Sequence, residues 1–247
     1  RGAGRQKSLC RKAQTGLRQV PLATVNLELR LKQTGIREGD RVGIALPNGQ
    51  SVINNLHALG EIGAIPVLLN TRLKTEELHW QADLIGCKTV IDTVENNPPE
   101  TRILDLTAWG DFLRSVSDDR IAAVLFTSGT SGAPKAAQIT YGNLRALAYA
   151  SADRLGVDAA DRWLLSLPLY HVGGLSIAFR SAFQNTAAAL PENTTTHAII
   201  DALEQNAITH ISLVPTQMYR LIEAGFKPPP SLKMMLIGGA AASPELI

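Results

Sequence analysis

The sequence alternates between short apolar runs and longer segments with apolar residues at helical spacing, and this alternation constrains the fold most strongly. Several runs end at turn-forming residues, such as Pro47-Asn48-Gly49 and Pro168, as strands commonly do. Strands separated by helices of this length favour βαβ units and a mostly parallel sheet, in which ligands bind beyond the carboxyl ends of the strands. We therefore predict an α/β fold. The predicted strands are 41–46, 65–69, 88–91, 121–126, 163–167, 187–190, 210–214 and 232–237.

Helical spacing of apolar residues fills most of the intervals between these strands. Gly35 and Gly156 close two of the helical segments, which is typical of helix ends. The interval 92–120 is the exception, because it is polar and contains Pro98-Pro99; we predict mostly loop, with a short strand at 103–106. The predicted helices lie near 22–32, 52–62, 75–86, 141–155, 198–204 and 216–223, with one more that contains Phe179 and Arg180.

The most informative stretch is an apolar strand that runs directly into a loop of hydroxyl residues and glycines and leaves it through Pro134 and Lys135. Glycines permit positive φ and let backbone N–H groups approach a bound group closely. Hydroxyl donors, N–H groups and one positive charge together suit an anionic ligand, and a polyphosphate in particular. The residues predicted to contact phosphate are Thr127, Ser128, Gly129, Thr130, Ser131, Gly132 and Lys135.

This loop is not the common P-loop of nucleoside triphosphatases. That motif requires Gly, four residues and then Gly-Lys-Ser/Thr, whereas counting from Gly129 puts Pro134 and Ala136 at two required positions. The loop instead resembles the signature of the adenylate-forming enzymes, the superfamily of acyl-CoA synthetases, luciferases and peptide-synthetase adenylation domains. Their pattern is Thr-Ser-Gly-Thr-Ser/Thr-Gly-x-Pro-Lys-Gly, and only its last position departs here, at Ala136. A Ser/Gly surface linker is the alternative, but linkers do not usually follow a buried strand.

A second stretch with the same resemblance is Leu167-Pro168-Leu169-Tyr170-His171, followed by Gly173 and Gly174. In the superfamily this histidine borders the carboxyl end of the acyl substrate. The resemblance therefore implies that His171 donates a hydrogen bond near a carboxylate, or gates the ATP and thiol channels, and that both glycines bound the acyl site. A histidine with a purely structural role is the alternative.

A third stretch, residues 236–241, resembles the Gly-Gly-Ala turn of the superfamily. There the backbone passes close to the adenine ring, which requires small residues. The resemblance implies that Gly238, Gly239 and Ala240 bound an adenine site. Taken alone, a strand that ends in Gly-Gly is a weak signal, because such an ending has many uses.

Within the superfamily the chain most resembles the o-succinylbenzoate:CoA ligases, although fatty and aryl acyl-CoA ligases share much of the pattern. The resemblance implies that a carboxylate attacks the α-phosphorus of ATP, and that CoA thiolate then displaces AMP from the acyl adenylate. Mg2+ and the loop donors would neutralise the triphosphate. Lys135 and His171 are the implied catalytic residues; ATP, Mg2+, CoA and a carboxylic acid are the implied ligands. The resemblance rests on segments 68–73, 161–176 and 212–218.

Arg180 follows His171 by about two and a half helical turns if the intervening residues are helical. Our hypothesis is that its guanidinium approaches the second carboxylate of a dicarboxylic substrate. The alternative is a surface arginine on an amphipathic helix.

Composition excludes several other classes of protein. A net charge of +2 over 247 residues gives no signal for nucleic acid binding. Cys10 and Cys87 have neither a disulfide nor a metal-site pattern and fit a reducing compartment. The sequence has no apolar stretch long enough to span a bilayer and no signal-peptide pattern. We expect a soluble cytoplasmic protein whose uncovered sheet edge would favour a homo-oligomer.

The ends of the sequence suggest an incomplete domain, because it begins at Arg1 and stops at Ile247 in the first turn of a helix opened by Ser243-Pro244-Glu245. We expect residues 1–247 to form part of an N-terminal AMP-binding domain, truncated at both ends, with possible subdomains 1–120 and 121–247. The small C-terminal domain of the superfamily would be absent, together with its catalytic lysine, and the chain alone would be inactive. The alternatives are another acyl-CoA ligase, a peptide-synthetase adenylation domain and a non-catalytic nucleotide-binding module.

Overall fold

The computed structural model describes residues 22–93, 101–104, 106–127 and 134–243. Within these ranges, strands and helices alternate as the sequence predicts. Cys10, the interval 128–133 and the predicted helix start beyond Ser243 lie outside the described residues. The first sheet and its helices contain α1 Leu22–Gln33, β1 Arg41–Ile44, α2 Gln50–Ile62, β2 Ile65–Leu68, α3 Thr75–Leu84, β3 Cys87–Ile91, β5 Ile121–Thr127 and β6 Lys135–Thr140. The second contains β4 Arg102–Leu104, α4 Thr107–Ser115, α5 Tyr141–Leu155, β7 Arg162–Leu164, α6 Val172–Gln184, β8 Ala187–Leu190, α7 Thr196–Gln205, β9 His210–Leu213, α8 Pro215–Glu223 and β10 Met234–Ile237.

The strands form two five-stranded sheets, and most strand pairs are parallel. The first sheet has the order β3-β1-β2-β5-β6, with β5 and β6 as an antiparallel hairpin at one edge. The second has the order β10-β9-β7-β8-β4, with β4 antiparallel to β8. The predicted α/β fold with mostly parallel sheets is therefore confirmed.

A continuous apolar core joins the two sheets through α2, α4, α5 and α6. At its centre, Tyr141 contacts Phe112 edge-on at 5.8 Å between ring centroids and Phe179 at 6.2 Å. A Cβ atom on Gly60 of α2 would lie 2.7 Å from the Tyr141 hydroxyl, so this close approach requires a glycine. Because the sheets share one core, the loops at their strand ends are held in a fixed relation.

The prediction for residues 92–120, mostly loop with a short strand, lacks a helix that the structure contains, since α4 occupies 107–115. Trp109, Phe112 and Leu113 are buried on one face of this helix. The sequence did not indicate this helix because it contains Gly110, and glycine is unfavourable in the interior of a helix. Here a Cβ at that position would lie 2.3 Å from the carbonyl oxygen of Ala182 in α6, so close helix packing outweighs propensity. The predicted strand at 103–106 lies at Arg102–Leu104 instead.

The predicted subdivision at residues 120 and 121 does not coincide with the two sheets. β4 precedes that point and belongs to the second sheet, whereas β5 and β6 follow it and belong to the first. The division into subdomains stays a prediction. None of the helices in the described ranges has the length and apolarity that crossing a bilayer requires.

Candidate active site

The loop predicted to bind phosphate is anchored on the hairpin of β5 and β6. Thr127 ends β5, Lys135 begins β6, and the two residues are register partners. The Thr127 hydroxyl donates to the carbonyl oxygen of Lys135 over 3.4 Å, and both side chains are exposed. The connecting interval lies outside the described residues. The phosphate contacts predicted in it stay predictions, namely Ser128, Gly129, Thr130, Ser131 and Gly132.

Thr127 and His171 line one pocket of about 240 Å³. Its walls also include Asn70 after β2, Phe126 in β5 and Tyr170 ahead of α6. β2 and β5 are parallel neighbours in the first sheet, whereas Tyr170 and His171 follow β7 of the second. The pocket therefore lies beyond the carboxyl ends of strands from both sheets, where α/β proteins bind ligands.

An adjoining cleft of about 460 Å³ shares Phe126, Thr127, Tyr170 and His171 with this pocket. Its remaining walls are apolar and consist of Leu125, Ala137, Ile139 and Val172. Apolar walls beside a hydroxyl and an imidazole suit a ligand with an apolar body and a polar or anionic end.

His171 immediately precedes α6, and its side chain is exposed rather than part of the core. Its ring contacts that of Tyr170 edge-on, with centroids 4.6 Å apart. Desolvation by the surrounding protein, and then the positive charge of Arg72, lower the pKa of His171 below its ordinary value. The imidazole is therefore neutral at neutral pH, and it can form a hydrogen bond without adding a positive charge to the pocket.

A contact that sequence reasoning missed holds the segment leading to His171. The Asn48 side-chain amide donates to the Leu167 carbonyl oxygen over 2.8 Å, and the Leu169 N–H donates to Asn48 Oδ1 over 2.9 Å. Asn48 lies in the turn after β1, so these two bonds connect the first sheet to the segment after β7. The sequence shows only a turn signal at Asn48, because its partner at Leu167 is 119 residues away.

Gly173 and Gly174 allow α6 to begin close against the preceding segment. A Cβ atom on Gly174 would lie 2.2 Å from the Pro168 carbonyl oxygen, and one on Gly173 would lie 3.1 Å from Leu167 Cδ1. Neither glycine lines the pocket or the adjoining cleft as far as the described residues define them. Their packing role is thus clear, and their assignment to an acyl site stays a prediction.

The turn at Gly238, Gly239 and Ala240 follows β10 at the edge of the second sheet, and all three residues are exposed. The Gly238 N–H donates to the Leu213 carbonyl oxygen over 3.0 Å, which continues the β9–β10 ladder. Gly239 has φ of 82°, a value that favours glycine. β10 is parallel to β9, and β9 is parallel to β7. This turn therefore lies at the carboxyl ends of the strands, as does the segment leading to His171. Its contact with an adenine stays a prediction.

Arg180 is not on the surface, so that alternative is wrong: the residue is only 6% exposed. Its guanidinium carbon lies 3.8 Å from the ring centroid of Trp163 in β7. Burial lowers the pKa of Arg180 to about 10, which still leaves it positively charged at neutral pH. No described residue forms an ion pair or hydrogen bond with it, and its Nε atom is buried without a partner. Arg180 is not among the residues that line the pocket or the cleft.

Comparison with known proteins agrees with the fold and the motifs. The family of AMP-binding enzymes matches residues 25–247. A 2-succinylbenzoate–CoA ligase from Bacillus cereus is 33% identical over 229 residues, which cover 88% of this chain and 47% of that protein. The chain thus spans about half the length of the relatives it matches.

Solved structures of o-succinylbenzoate CoA synthetase from Bacillus subtilis superpose on the described fold. The complex with the acyl-adenylate intermediate OSB-AMP has a TM-score of 0.78 at 28% identity, covering 91% of this chain and 49% of that one. The complex with ATP and magnesium ion has a TM-score of 0.77 at 28% identity, covering 91% and 50%. The resemblance inferred from the glycine and hydroxyl loop is confirmed at the level of the family: the chain belongs to the AMP-binding enzymes.

Proposed function

We propose that this chain forms part of a ligase that adenylates a carboxylic acid with ATP and transfers the acyl group to CoA. The observation that carries the proposal is the shared pocket of Thr127 and His171, because it brings the base of the phosphate loop and the histidine of the acyl motif together. Family membership supports the reaction type.

The proposed acid is o-succinylbenzoate, and the proposed product is its CoA thioester. Support comes from the relatives, which include 2-succinylbenzoate–CoA ligases and a structure that holds the acyl adenylate OSB-AMP. The apolar cleft beside Thr127 and His171 suits the benzene ring of such an acid. A free thiol at Cys87 fits the cytoplasmic location included in the proposal.

The residues from Thr127 to Lys135 would hold the β and γ phosphates of ATP and then the departing pyrophosphate. Lys135 supplies a full positive charge at the start of β6, where its exposed side chain is free to meet an anion. Gly238, Gly239 and Ala240 would bound the adenine. With the nucleotide held from both ends, the α-phosphorus would be oriented for in-line attack by the carboxylate.

His171 would hold the reacting carboxylate by a hydrogen bond in its neutral form. A neutral imidazole leaves the carboxylate oxygen more nucleophilic than a charged one would, so the lowered pKa of His171 supports this role. Gly173 and Gly174 would bound the same acyl site.

Magnesium is part of the proposal, since a solved relative contains ATP together with that ion. In the described ranges, no group of three or more His, Cys, Asp or Glu side chains could hold a metal ion. We therefore assign the ion no residue in this part of the chain. Its contribution when bound is neutralisation of phosphate charge.

Arg180 would bind the second carboxylate of the acid, on the benzene ring. Its buried guanidinium has no anionic partner among the described residues, and an uncompensated buried charge is costly unless a ligand supplies the partner. Arg180 lies eight residues past the start of α6, about 12 Å along the axis, and helical side chains point back towards the amino end. Replacing Arg180 by Ala is expected to raise the KM for o-succinylbenzoate.

The proposal is tested by ATP–pyrophosphate exchange with the full-length polypeptide and a panel of carboxylic acids. We expect exchange that depends on o-succinylbenzoate and, when CoA is added, formation of the thioester. ATP binding without exchange would identify a non-catalytic module instead. Exchange followed by transfer to a carrier protein, but not to CoA, would identify a peptide-synthetase adenylation domain.

A further inference from the structure

Three buried side chains of the second sheet form one continuous stack. Trp163 in β7 and His210 in β9 are register partners, so their side chains project from the same face. Their ring centroids are 4.4 Å apart with an angle of 26° between the planes. On Trp163, the guanidinium of Arg180 from α6 lies 3.8 Å from the ring centroid. Trp163 therefore contacts both a cation and a neighbouring imidazole.

The residues around His210 keep this stack in place. Its Nδ1 lies 2.7 Å from the Thr209 hydroxyl and 3.8 Å from Asp161 Oδ1. Asp161 in turn accepts hydrogen bonds from Lys233 Nζ at 2.7 Å and from the Asp158 N–H at 2.8 Å. Burial lowers the pKa of His210, with Lys233 and Arg180 acting in the same direction and Asp161 and Asp158 opposing them. A neutral imidazole avoids placing a second cation near Arg180.

Two donors in the stack are buried without an acceptor among the described residues. They are Nε of Arg180 and the indole Nε1 of Trp163. Buried donors are usually paired in native proteins, so these two, beside a buried cation without an anionic partner among the described residues, favour an acceptor that a ligand supplies. Trp163 covers one face of the Arg180 guanidinium. The N–H groups along the edge of the guanidinium are therefore the part that can bind a planar anion such as a carboxylate.

We infer that Trp163 is a positioning and specificity-determining residue that holds Arg180 ready for a second anionic group on the acyl substrate. The inference rests on the proposed function and goes beyond it, because it assigns the discrimination between dicarboxylic and monocarboxylic acids to a stacked pair. Arginine side chains have many rotamers, and fixing one before the ligand arrives lowers the entropy cost of binding. His210 supports Trp163 from its neighbouring strand.

The test compares two acids in the exchange assay with the full-length polypeptide. One acid is o-succinylbenzoate, and the other is β-benzoylpropionate, which lacks only the carboxylate on the ring. The measured quantity is the ratio of kcat/KM for the two acids. Removing the aromatic face in Trp163→Leu is expected to lower this ratio about tenfold to thirtyfold, mainly through KM, as for a desolvated cation–π contact. Trp163→Phe keeps a smaller face and is expected to lose about threefold.

Trp109→Phe is the matched control. Trp109 is also buried, also packs on α6 through a ring contact with Phe179, and also has an indole N–H without a partner among the described residues. We expect this variant to change both acids alike and to leave the ratio at its wild-type value.

Each result decides between positioning and simple packing. If Trp163→Leu or Trp163→Phe reduces kcat/KM for both acids equally, Trp163 only supports the core and the inference is wrong. If Trp163→Leu does not fold, the ratio measured for Trp163→Phe decides alone, and a wild-type ratio overturns the inference. Absence of exchange with either acid in the wild-type protein would instead refute the proposed function.

Discussion

Two regions of the molecule differ in what compensates their charged and polar groups. One is the pocket lined by Thr127 and His171, and the other is the stack of Arg180, Trp163 and His210. Around the pocket and at the base of the predicted phosphate loop, the side chains of Thr127, Lys135 and His171 are exposed, so water compensates their polar groups when no ligand is bound. In the stack, all three side chains are buried, and the guanidinium of Arg180 contacts the Trp163 ring but no anion among the described residues. The pocket can thus lose a charge with little effect on stability, whereas residues around the stack affect stability and binding together.

The sharpest test of this contrast is Lys135→Ala in the full-length polypeptide. Because the side chain is exposed, we expect an unchanged midpoint of thermal unfolding. Loss of a cation aimed at the triphosphate is expected to lower the pyrophosphate exchange rate by about 10²-fold to 10³-fold. Lys227→Ala, which removes another exposed lysine, serves as the control and should leave exchange unaltered. If Lys135→Ala exchanges pyrophosphate at the wild-type rate, the proposal that Lys135 and its loop bind phosphate is wrong.

The same contrast determines how much of the site could be predicted from the sequence. The phosphate loop and the segment ending at His171 are consecutive residues, so their order alone carries a signal. Trp163, Arg180 and His210 come from β7, α6 and β9, and only packing brings them together. The sequence therefore predicted Arg180 as a candidate residue, but neither its burial nor its contact with Trp163.

For the fold too, the features that consecutive residues encode could be predicted, and those that depend on tertiary contacts could not. Most strands and helices were predictable, because apolar periodicity and glycine or proline boundaries agree along the chain. The exception, α4, contains Gly110, whose missing side chain is explained only by the carbonyl oxygen of Ala182 on another helix. The antiparallel pairing of β4 with β8 is likewise a tertiary contact without a local signal.

Asp161→Ala tests the stability side of the comparison. The carboxylate of Asp161 is buried and accepts hydrogen bonds from Lys233 and the Asp158 N–H. Burial by itself would raise the pKa of Asp161, but these bonds outweigh it and the pKa lies below its ordinary value. We expect a loss of about 2–3 kcal/mol in the free energy of unfolding, measured with urea, because bonds to a charged group are removed.

The control for this variant is Asp158→Asn, at a side chain that is 58% exposed. Its ion pair with Lys233 is solvent-screened, so we expect a loss below about 1 kcal/mol. Equal losses in the two variants would contradict the view that burial makes Asp161 important.

Asn48→Ala should affect both stability and activity. Asn48 holds the segment that carries His171, and its two hydrogen bonds connect the first sheet to the segment after β7. Removing two hydrogen bonds is expected to cost about 1–2 kcal/mol of unfolding free energy. The exchange rate should fall as well, by less than in Lys135→Ala, because His171 loses its orientation but the phosphate loop keeps its charge. Asn48→Asp retains an acceptor for the Leu169 N–H but places a carboxylate oxygen against the Leu167 carbonyl oxygen, so it should lose at least as much stability as Asn48→Ala.

The smallest expected effect is the acid sensitivity that His210 gives to stability. Its pKa in the folded state lies below that of the unfolded chain, chiefly because of burial, so the unfolded chain takes up the proton first as pH falls. The contribution is therefore fully present above about pH 6.5 and declines below it, by at most about 1.4 kcal/mol per pH unit. Asp161, with its lowered pKa, adds a separate loss only below about pH 4.

The measurement is the free energy of unfolding in urea at several pH values between these limits. Its slope against pH should be shallower in His210→Gln than in wild type. His79→Gln, at an exposed histidine of α3, should keep the wild-type slope. If His210→Gln keeps it too, His210 is not held neutral by the stack, and the electrostatic difference between the two regions is smaller than we infer.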